Sequence, residues 1–350
     1  MLAFVVGRLV WAVLLTFVIS VITFALFFAL PPNQPGSNRQ GQVTPNLQTQ
    51  FNLDGRASFA GEYRHFLDRV VRHGDLGRSL RQPRSVREII GKALPVTASL
   101  LIGGTIVCLV LAFSIGLLSA LRPRTALDKG LMVFVLIGIS VHPVWLSLVF
   151  SYLLGFRLHA FPVAGYCDFF YHPSGSSICG GPRYWAYHMI LPWFTFALLF
   201  AALYARMIRA GVLEALNEDY VRTAWAKGAG TWRVLRRHAL RNALLPVISI
   251  VGMNMGLAFG GALFIETAFG LPGMGQVLYR ALTSSDLPVI MGVVLVVSVA
   301  ITLATTLADI LYCLIDPRLG FGKWRTERVS GALRFPLRPR PQVTESRSSG

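Results

Sequence analysis

Charged residues are scarce in this chain, and acidic residues, 16 against 33 basic ones, are the rarer kind. Charged residues make up 14% of the sequence and hydrophobic residues 54%. A soluble domain carries about 25% charged residues, so this composition indicates a protein that lies mostly within a membrane. A net charge of +17 would suggest nucleic acid in a soluble chain. Here the basic residues flank apolar runs, so we expect contacts with membrane lipid and no nucleic-acid partner.

The motifs of common enzymes and metal sites are also missing. There is no G-x-x-x-x-G-K-[ST] phosphate loop, because Gly91-Lys92 and Gly322-Lys323 are followed by Ala and Trp. The chain lacks H-E-x-x-H, G-x-S-x-G and a Cys/His cluster with zinc spacing. We therefore predict a non-catalytic protein with no metal site and no cofactor of its own.

Cysteine is rare, with four in the chain. Cys108 and Cys313 lie in apolar runs, where the ordinary role is that of a small apolar side chain. Cys167 and Cys179 lie between two runs, in a segment that the charge pattern places outside the cytoplasm. An oxidising compartment permits a disulfide there, and two free thiols are the alternative.

Six apolar runs reach or approach the length of about 20 residues that a helix needs to cross a bilayer. They predict an all-α membrane protein with six transmembrane helices. The first should be retained, because its apolar stretch exceeds the roughly 7–15 residues of a signal peptide. His142-Pro143 in the third run favours a kink or a packed histidine, with a residue that lines a pathway as the alternative. The runs are Leu9–Leu30, Val96–Leu121, Gly130–Leu154, Met189–Tyr204, Leu244–Phe264 and Pro288–Ile315.

Acidic residues inside the predicted spans are few, with Glu266 near the end of the fifth and Asp309 near the end of the sixth. Gradient-driven transporters usually carry ionisable groups at mid-membrane depth. The pattern therefore disfavours a secondary transporter, which stays as an alternative.

Basic residues in the short loops set the orientation. Arg122, Arg124 and Lys129 fall on the same side as Arg206–Arg241 and Arg318, so we predict that both termini are cytoplasmic. The chain then divides into four parts. They are a first transmembrane helix (1–30), a small extracytoplasmic cap of open role (31–94), a five-helix core (95–315) with a cytoplasmic loop (206–243), and a basic tail (316–350) that we expect to end in disorder.

The polar segment Arg206–Arg241 separates the fourth run from the fifth. Leu213–Ala226 has good helix formers, with acidic residues near its start, which favours a helix. Gly228 and Gly230 end that helix, and a basic, amphipathic helix suited to the inner membrane surface follows. The first helix would project into the cytoplasm, either as a docking surface for a soluble partner or as a structural hairpin.

Small residues and turn residues mark the fifth run and the segment after it. Gly252, Gly256 and Gly260 share one helical face, which packs either within the chain or against a partner subunit. Pro272-Gly273 predicts a re-entrant turn or a helix boundary. With Glu266, these turn residues form a candidate outer gate.

Arg206–Pro246 resembles the coupling loop of ABC-importer permeases, whose pattern is Glu-Ala-Ala, three residues, Gly, nine residues and Ile-x-Leu-Pro. Its second alanine, its glycine and its leucine are matched by Ala224, Gly228 and Leu240. Its glutamate, first alanine, isoleucine and proline are replaced by Arg222, Thr223, His238 and Arg241. The run Asp219–Gly228 is similar to the peptide/nickel branch of that family, although Trp225 stands where the branch has arginine.

Further motifs of that branch occur in the same order along the chain. They are Gly77–Leu80, Phe161–Val163, Glu266–Phe269, Leu271–Gly275 and Asp316–Arg318. The resemblance covers Arg8 to about Leu319, and the chain is identified by it as a B-type permease subunit of a dipeptide or oligopeptide importer.

The resemblance implies a type I ABC-importer permease fold in the bacterial cytoplasmic membrane. The implied partners are a second homologous permease subunit, two ATPase subunits that bind ATP and Mg, and an extracytoplasmic solute-binding protein. Peptide is the implied substrate, with nickel or another small solute as the alternative. The implied ATPase-coupling residues are Glu218, Asp219, Tyr220, Arg222, Thr223, Ala224, Lys227, Gly228 and Leu240.

Overall fold

The computed structural model of the chain describes residues 2–29, 59–170, 179–230 and 250–315, together with 233, 235, 246 and 247. Across these residues the regular structure is helical, apart from one isolated bridge between Arg78 and Ser85, so the predicted all-α architecture is confirmed. Residues 31–58 of the predicted cap and the predicted tail 316–350 lie outside the described residues. The helices are α1 (Leu2–Ala29), α2 (Phe59–Asp68), α3 (Val86–Leu121), α4 (Ala126–Ser140), α5 (Pro143–Phe150), α6 (Pro182–Asn217), α7 (Asp219–Ala226), α8 (Met255–Phe269), α9 (Met274–Ser284) and α10 (Leu287–Ile315), with π-helical turns at Arg69–His73 and Ser151–Arg157.

Three helices of the described chain are long and apolar enough to cross a membrane, namely α3, α6 and the part Leu287–Ile310 of α10. Two bent pairs raise the number to five if each pair forms one span: α4 with Pro143–Arg157, and α8 with α9. In α1, the apolar stretch Leu9–Ala25 is shorter than a full span. The described residues thus contain three to five candidate spans, and the count of six stays a prediction.

The third predicted span, Gly130–Leu154, is not one straight helix. Pro143–Arg157 leaves the direction of α4 at an angle of 110°. His142 is extended, with ψ of 138°, because a residue before proline avoids the helical region. Its Nδ1 atom accepts the N–H of Val144 at 3.4 Å, which caps α5. The expected kink is therefore a break between two helices.

The pairing of α3 with α6 forms the centre of the fold. Each has 36 residues, the greatest length among the described helices. Glycines of α3 allow the two backbones to approach, since a β-carbon at Gly104 would lie 2.6 Å from the ring of Phe196, and one at Gly116 would lie 2.7 Å from the carbonyl oxygen of Ala205. These contacts advance together along both helices, so α3 and α6 run parallel. The two candidate sites described below, at α7 and around Glu266, lie toward opposite ends of this pair.

The short helix α2 packs on the first and last helices. Tyr63 and Phe66 are buried in one cluster with Phe24 of α1 and Met291 of α10. The hydroxyl of Tyr63 donates to Ser20 Oγ at 3.3 Å. Burying each such ring stabilises the packing by roughly 1.5–3 kcal/mol. Residues 59–68 are thus part of the packed structure and not a free linker.

Candidate functional site

The helix α7 begins directly after the last turn of α6. Glu218 is extended, with φ of −70° and ψ of 148°, and this ends α6. The Glu218 carbonyl then accepts the N–H groups of Val221 and Arg222 at 3.0 and 3.3 Å, which starts α7. Val221 is the buried residue of α7, with 0% of its surface exposed. Val221 therefore anchors the short helix at the end of a helix about 54 Å long.

The rest of α7 faces solvent. Tyr220 and Trp225 expose 40% and 42% of their surface, and Ala224 is half-buried between them. Aromatic rings on an exposed element are typical of a surface that a protein partner covers. The predicted coupling residues between 218 and 224 are brought together on this projecting helix. They are Glu218, Asp219, Tyr220, Arg222, Thr223 and Ala224.

Gly228 ends the projecting helix. Its φ of +78° lies in the left-handed region, which glycine adopts without strain. Its N–H donates to the carbonyl of Trp225 at 2.9 Å, and that of Lys227 donates to Thr223 at 3.1 Å. A β-carbon on Gly228 would meet no atom within 4 Å, so the backbone conformation alone requires glycine here. Leu240, the remaining predicted coupling residue, lies outside the described residues.

An open groove of about 300 Å³ lies beside α7 and the end of α6. Two carboxylates, Glu214 and Glu218, and the ring of Tyr220 line it, together with Gly211 and Ala215. Carboxylates pair well with basic side chains, so the groove fits a basic group of a partner better than an acidic one.

An ion pair with a buried carboxylate, which the sequence did not predict, lies near the end of α6 that leads into α7. Arg209 donates to both carboxylate oxygens of Asp128, at 2.9 and 2.8 Å. The hydroxyl of Ser119 donates to the same carboxylate, and the N–H of Arg124 donates to it at 3.0 Å. Asp128 is only 4% exposed. The pair joins α3, α4 and α6 about three turns before α7.

Glu266 closes the turn between α8 and α9, which meet at 80°. Its side chain is fully buried. One carboxylate oxygen accepts the N–H groups of Gly275 and Gln276, at 2.7 and 3.2 Å. The other accepts the hydroxyl of Thr97 on α3, at 2.6 Å. Glu266 therefore caps the N-terminus of α9 and ties it to α3.

The other two N–H groups at the start of α9 also have acceptors. Met274 donates to Thr97 Oγ1 at 2.7 Å, and Gly273 donates to the carbonyl of Leu271 at 2.8 Å. Pro272 has no N–H, so it fits a position where no donor is needed. All of the first four N–H groups are thus paired, which a buried helix end requires. The predicted gate residues form one closed corner, and a gating role for them stays a prediction.

The three glycines of the predicted helix face have different surroundings. A β-carbon on Gly252 would lie 2.5 Å from the Cβ of Ala308, so this glycine packs against α10 within the chain. At Gly256 or Gly260 an added β-carbon would meet no atom within 4 Å. Only the first of the three thus serves packing inside the chain.

The segment between α5 and α6, which the charge pattern predicts to lie outside, contains a disulfide that joins Cys167 to Cys179, with Cα atoms 5.3 Å apart. Cys167 is buried, and its Sγ lies 3.5 Å from Nδ1 of His188 on α6. Burial raises the pKa of Tyr166 in the same segment, so its hydroxyl stays protonated. The bridge holds this segment against the start of α6.

Known proteins resemble this chain over most of its length. The family described as binding-protein-dependent transport system inner membrane component matches residues 112–321, and the N-terminal family of the same membrane component matches residues 1–101. A putative peptide permease protein of Brucella suis biovar 1 is 35% identical over 303 residues, covering 84% of this chain and 92% of the relative. The probable D,D-dipeptide transport system permease protein of Escherichia coli K12 is 33% identical over 321 residues, covering 87% and 93%. A probable peptide ABC transporter permease protein of Sinorhizobium fredii is 30% identical over 323 residues, covering 91% and 99%.

The match over residues 112–321 includes α7 and the corner around Glu266. They confirm the resemblance that the ordered sequence motifs indicated, and their description names a membrane component, in agreement with the apolar helices. This chain belongs to the family of inner membrane components of binding-protein-dependent transport systems.

Proposed function

We propose that this chain is the B-type permease subunit of an ATP-driven importer of dipeptides and oligopeptides. The observation that carries the proposal is α7, a short exposed helix held by Val221 at the end of the span α6. The names of the relatives, which include peptide and D,D-dipeptide transport permeases, support peptide as the cargo.

In this proposal α7 docks on a cytoplasmic ATPase subunit. ATP and Mg bind to the two ATPase subunits, and neither of them binds to this chain. When the ATPase dimer closes on ATP, it draws α7 with it, and α6 transmits the movement to the spans. The spans then change from an inward-open to an outward-open arrangement by rigid-body rotation. The free energy of this change comes from ATP, because the two arrangements differ in their contacts with the ATPases.

The proposed topology has six spans, both termini in the cytoplasm and a cap outside. A second homologous permease would complete the translocation path. The open space at Gly256 and Gly260 supports such a contact, since Met253 and Leu257 beside them expose 76% and 69% of their surface. Exposed apolar side chains next to small residues form a surface that another helix can cover in a membrane.

The substitution Ala224→Glu tests the docking of α7. Ala224 is half-buried in the centre of the helix, so a partner that covers α7 would bury the new carboxylate without a counter-charge. We expect recovery of the ATPase subunits with the tagged chain, measured by mass spectrometry after purification in mild detergent, to fall about tenfold or more. Ala126→Glu is the matched control, because Ala126 is exposed in the first turn of α4, where a helix tolerates an acid.

Two results would contradict the proposal in different ways. Equal recovery of ATPase subunits with Ala224→Glu and with the unaltered chain would remove α7 as the docking element. If the unaltered chain purifies alone, as a homo-oligomer that transports solute under an ion gradient, the importer itself would be wrong.

A further inference from the structure

A compact loop with exposed arginines lies between α2 and α3, on the proposed outer side. We call residues 77–87 the arginine loop. Its ends are joined by backbone hydrogen bonds, from Val86 N–H to the carbonyl of Gly77 at 3.0 Å and from Ser79 N–H to the carbonyl of Arg84 at 3.1 Å. These hydrogen bonds hold the loop in one conformation, so it is not a flexible connection.

A buried carboxylate anchors the arginine loop to the turn between α9 and α10. Asp286 is 3% exposed, and it accepts the hydroxyl of Ser79 and the N–H of Leu80, the latter at 3.1 Å. Arg81 Nε donates to the carbonyl of Ser284 at 3.0 Å. These contacts connect the loop to the corner that Glu266 caps, through the eleven residues of α9. A force on the loop would thus reach the outer ends of the spans.

Three arginines of the loop have no carboxylate partner among the residues that the structure describes. Arg78, Arg84 and Arg87 are exposed, and none of them forms an ion pair with a residue that the structure describes. Nearby acids are engaged elsewhere: Glu88 pairs with Lys92 at 2.9 Å, and Asp75 accepts the N–H of Gly77. Among the described residues, none of the three guanidinium groups lies within ion-pair distance of a carboxylate, although Arg84 interacts electrostatically with Glu88. Their planar donors match the carboxylates of a partner.

The register of α3 against α6 indicates that the arginine loop lies beyond the lipid headgroup layer. The contacts of Gly103 with Trp193 and of Gly116 with Ile208 set the register of the parallel helices α3 and α6. In that register, the exposed aromatic rings at the start of α6, Tyr184 and Tyr187, lie level with about residues 93–96 of α3. Such rings mark the membrane interface. Val86 then lies about 10–15 Å farther out, which favours a protein partner over lipid.

We infer that the arginine loop is the surface on which an acidic face of the extracytoplasmic solute-binding protein docks. The inference deepens the proposed function and rests on it. The family description itself names dependence on a binding protein. Charges at the rim of an interface steer association and weaken with salt, so this contact determines how readily the binding protein engages. The anchor at Asp286 and the corner at Glu266 give the docked partner a rigid connection to α3 and α10.

The test uses the complete complex in nanodiscs of uncharged phosphatidylcholine. The probe is the solute-binding protein recovered from the same cells by crosslinking to the unaltered complex. Its concentration for half-maximal stimulation of ATP hydrolysis is measured at low and at high ionic strength. For the triple variant R78E/R84E/R87E we expect this concentration to rise about tenfold or more at low ionic strength, and less at high. The matched single variants are R84E and R183E, because Arg183 is an exposed arginine at the outer start of α6. We expect the concentration for half-maximal stimulation to rise for R84E and to stay unchanged for R183E.

The possible results separate the inference from the proposed function. Stimulation that is unchanged in the triple variant overturns the inference and leaves the importer standing. An equal rise of the half-maximal concentration with R183E also overturns the inference, because the effect would then come from the change in net charge and not from the arginine loop. A difference that occurs only in nanodiscs containing anionic phosphatidylglycerol would assign the loop to lipid headgroups. If crosslinking to the unaltered complex recovers no binding protein, and none stimulates its ATP hydrolysis, the proposed function is overturned and the inference with it.

Discussion

Asp128→Asn is expected to lower the thermal midpoint of the detergent-solubilised protein by about 5 °C or more. The four groups that face Asp128 are all donors: two nitrogens of Arg209, the hydroxyl of Ser119 and the N–H of Arg124. Asparagine replaces one acceptor oxygen by an NH₂ group, so at least one donor would face another donor. The Arg209 charge, with 29% of its side chain exposed, would also lose its counter-charge.

A double-mutant cycle separates the ion pair from general damage to the fold. Arg209→Met should be destabilising as well, because it leaves the Asp128 carboxylate buried and unpaired. The double variant should lose less stability than the two single losses added together, by about 1–3 kcal/mol. Asp219→Asn is the control, since the side chain of Asp219 is 97% exposed. Additive losses would show that the two residues do not act as a pair.

This ion pair bears on coupling because of its place in α6. Arg209 lies about three turns before α7 and binds an acid at the start of α4 and a serine near the end of α3. In the proposed mechanism, the intact pair would share a displacement of α7 among three helices. Without the pair, α6 could bend between Arg209 and the membrane, and the displacement would be lost. We therefore expect the ion pair to influence the ratio of uptake to ATP hydrolysis in the assembled importer.

The sequence predicts the helices of this protein better than their ends. The apolar run Val96–Leu121 marks the part of α3 that suits a bilayer, but the helix begins ten residues earlier, at Val86. Hydropathy reports only where side chains are apolar, and the first turns of α3 are polar on their exposed face. Ser85, whose side chain accepts the N–H of Glu88, is the capping signal that would have located this start.

The contacts that close the candidate sites could not be predicted from local patterns. Asp128 and Arg209 are 81 residues apart, and Thr97 and Glu266 are 169 residues apart. Nothing in the sequence near either residue indicates its partner, because the packing of α4 against α6 and of α3 against α8 decides which side chains meet. In contrast, the end of α7 was predictable, since Gly228 serves a local need for positive φ. Features that depend on neighbouring residues can thus be predicted from the sequence, whereas contacts between distant residues depend on how the helices pack.

Glu266→Ala is expected to destabilise the protein by about 3 kcal/mol or more. The substitution leaves the N–H groups of Gly275 and Gln276 without an acceptor in a buried corner, and the hydroxyl of Thr97 loses its own. Hydrogen bonds to a charged group contribute about 1.5–3 kcal/mol each. Glu266→Gln should cost much less, about 1 kcal/mol, because the amide oxygen can still accept from α9 while its NH₂ group donates to Thr97. The midpoint of thermal unfolding in detergent measures both variants.

Gly275→Ala tests the same corner without removing a polar group. A β-carbon on Gly275 would lie 2.6 Å from the Cα of Leu263 and 2.9 Å from a carboxylate oxygen of Glu266, so α9 must move away from α8. We expect a loss of about 1–3 kcal/mol, as for other overpacked sites. Gly91→Ala is the matched control, because Gly91 lies in α3 with no atom within 4 Å of its added β-carbon, and alanine favours a helix by about 1 kcal/mol. If Gly275→Ala gains stability as Gly91→Ala does, the corner can hold the added methyl group without strain.

For the Glu266 variants, a loss as large for Glu266→Gln as for Glu266→Ala would mean that the corner depends on the negative charge and not on the capping hydrogen bonds alone.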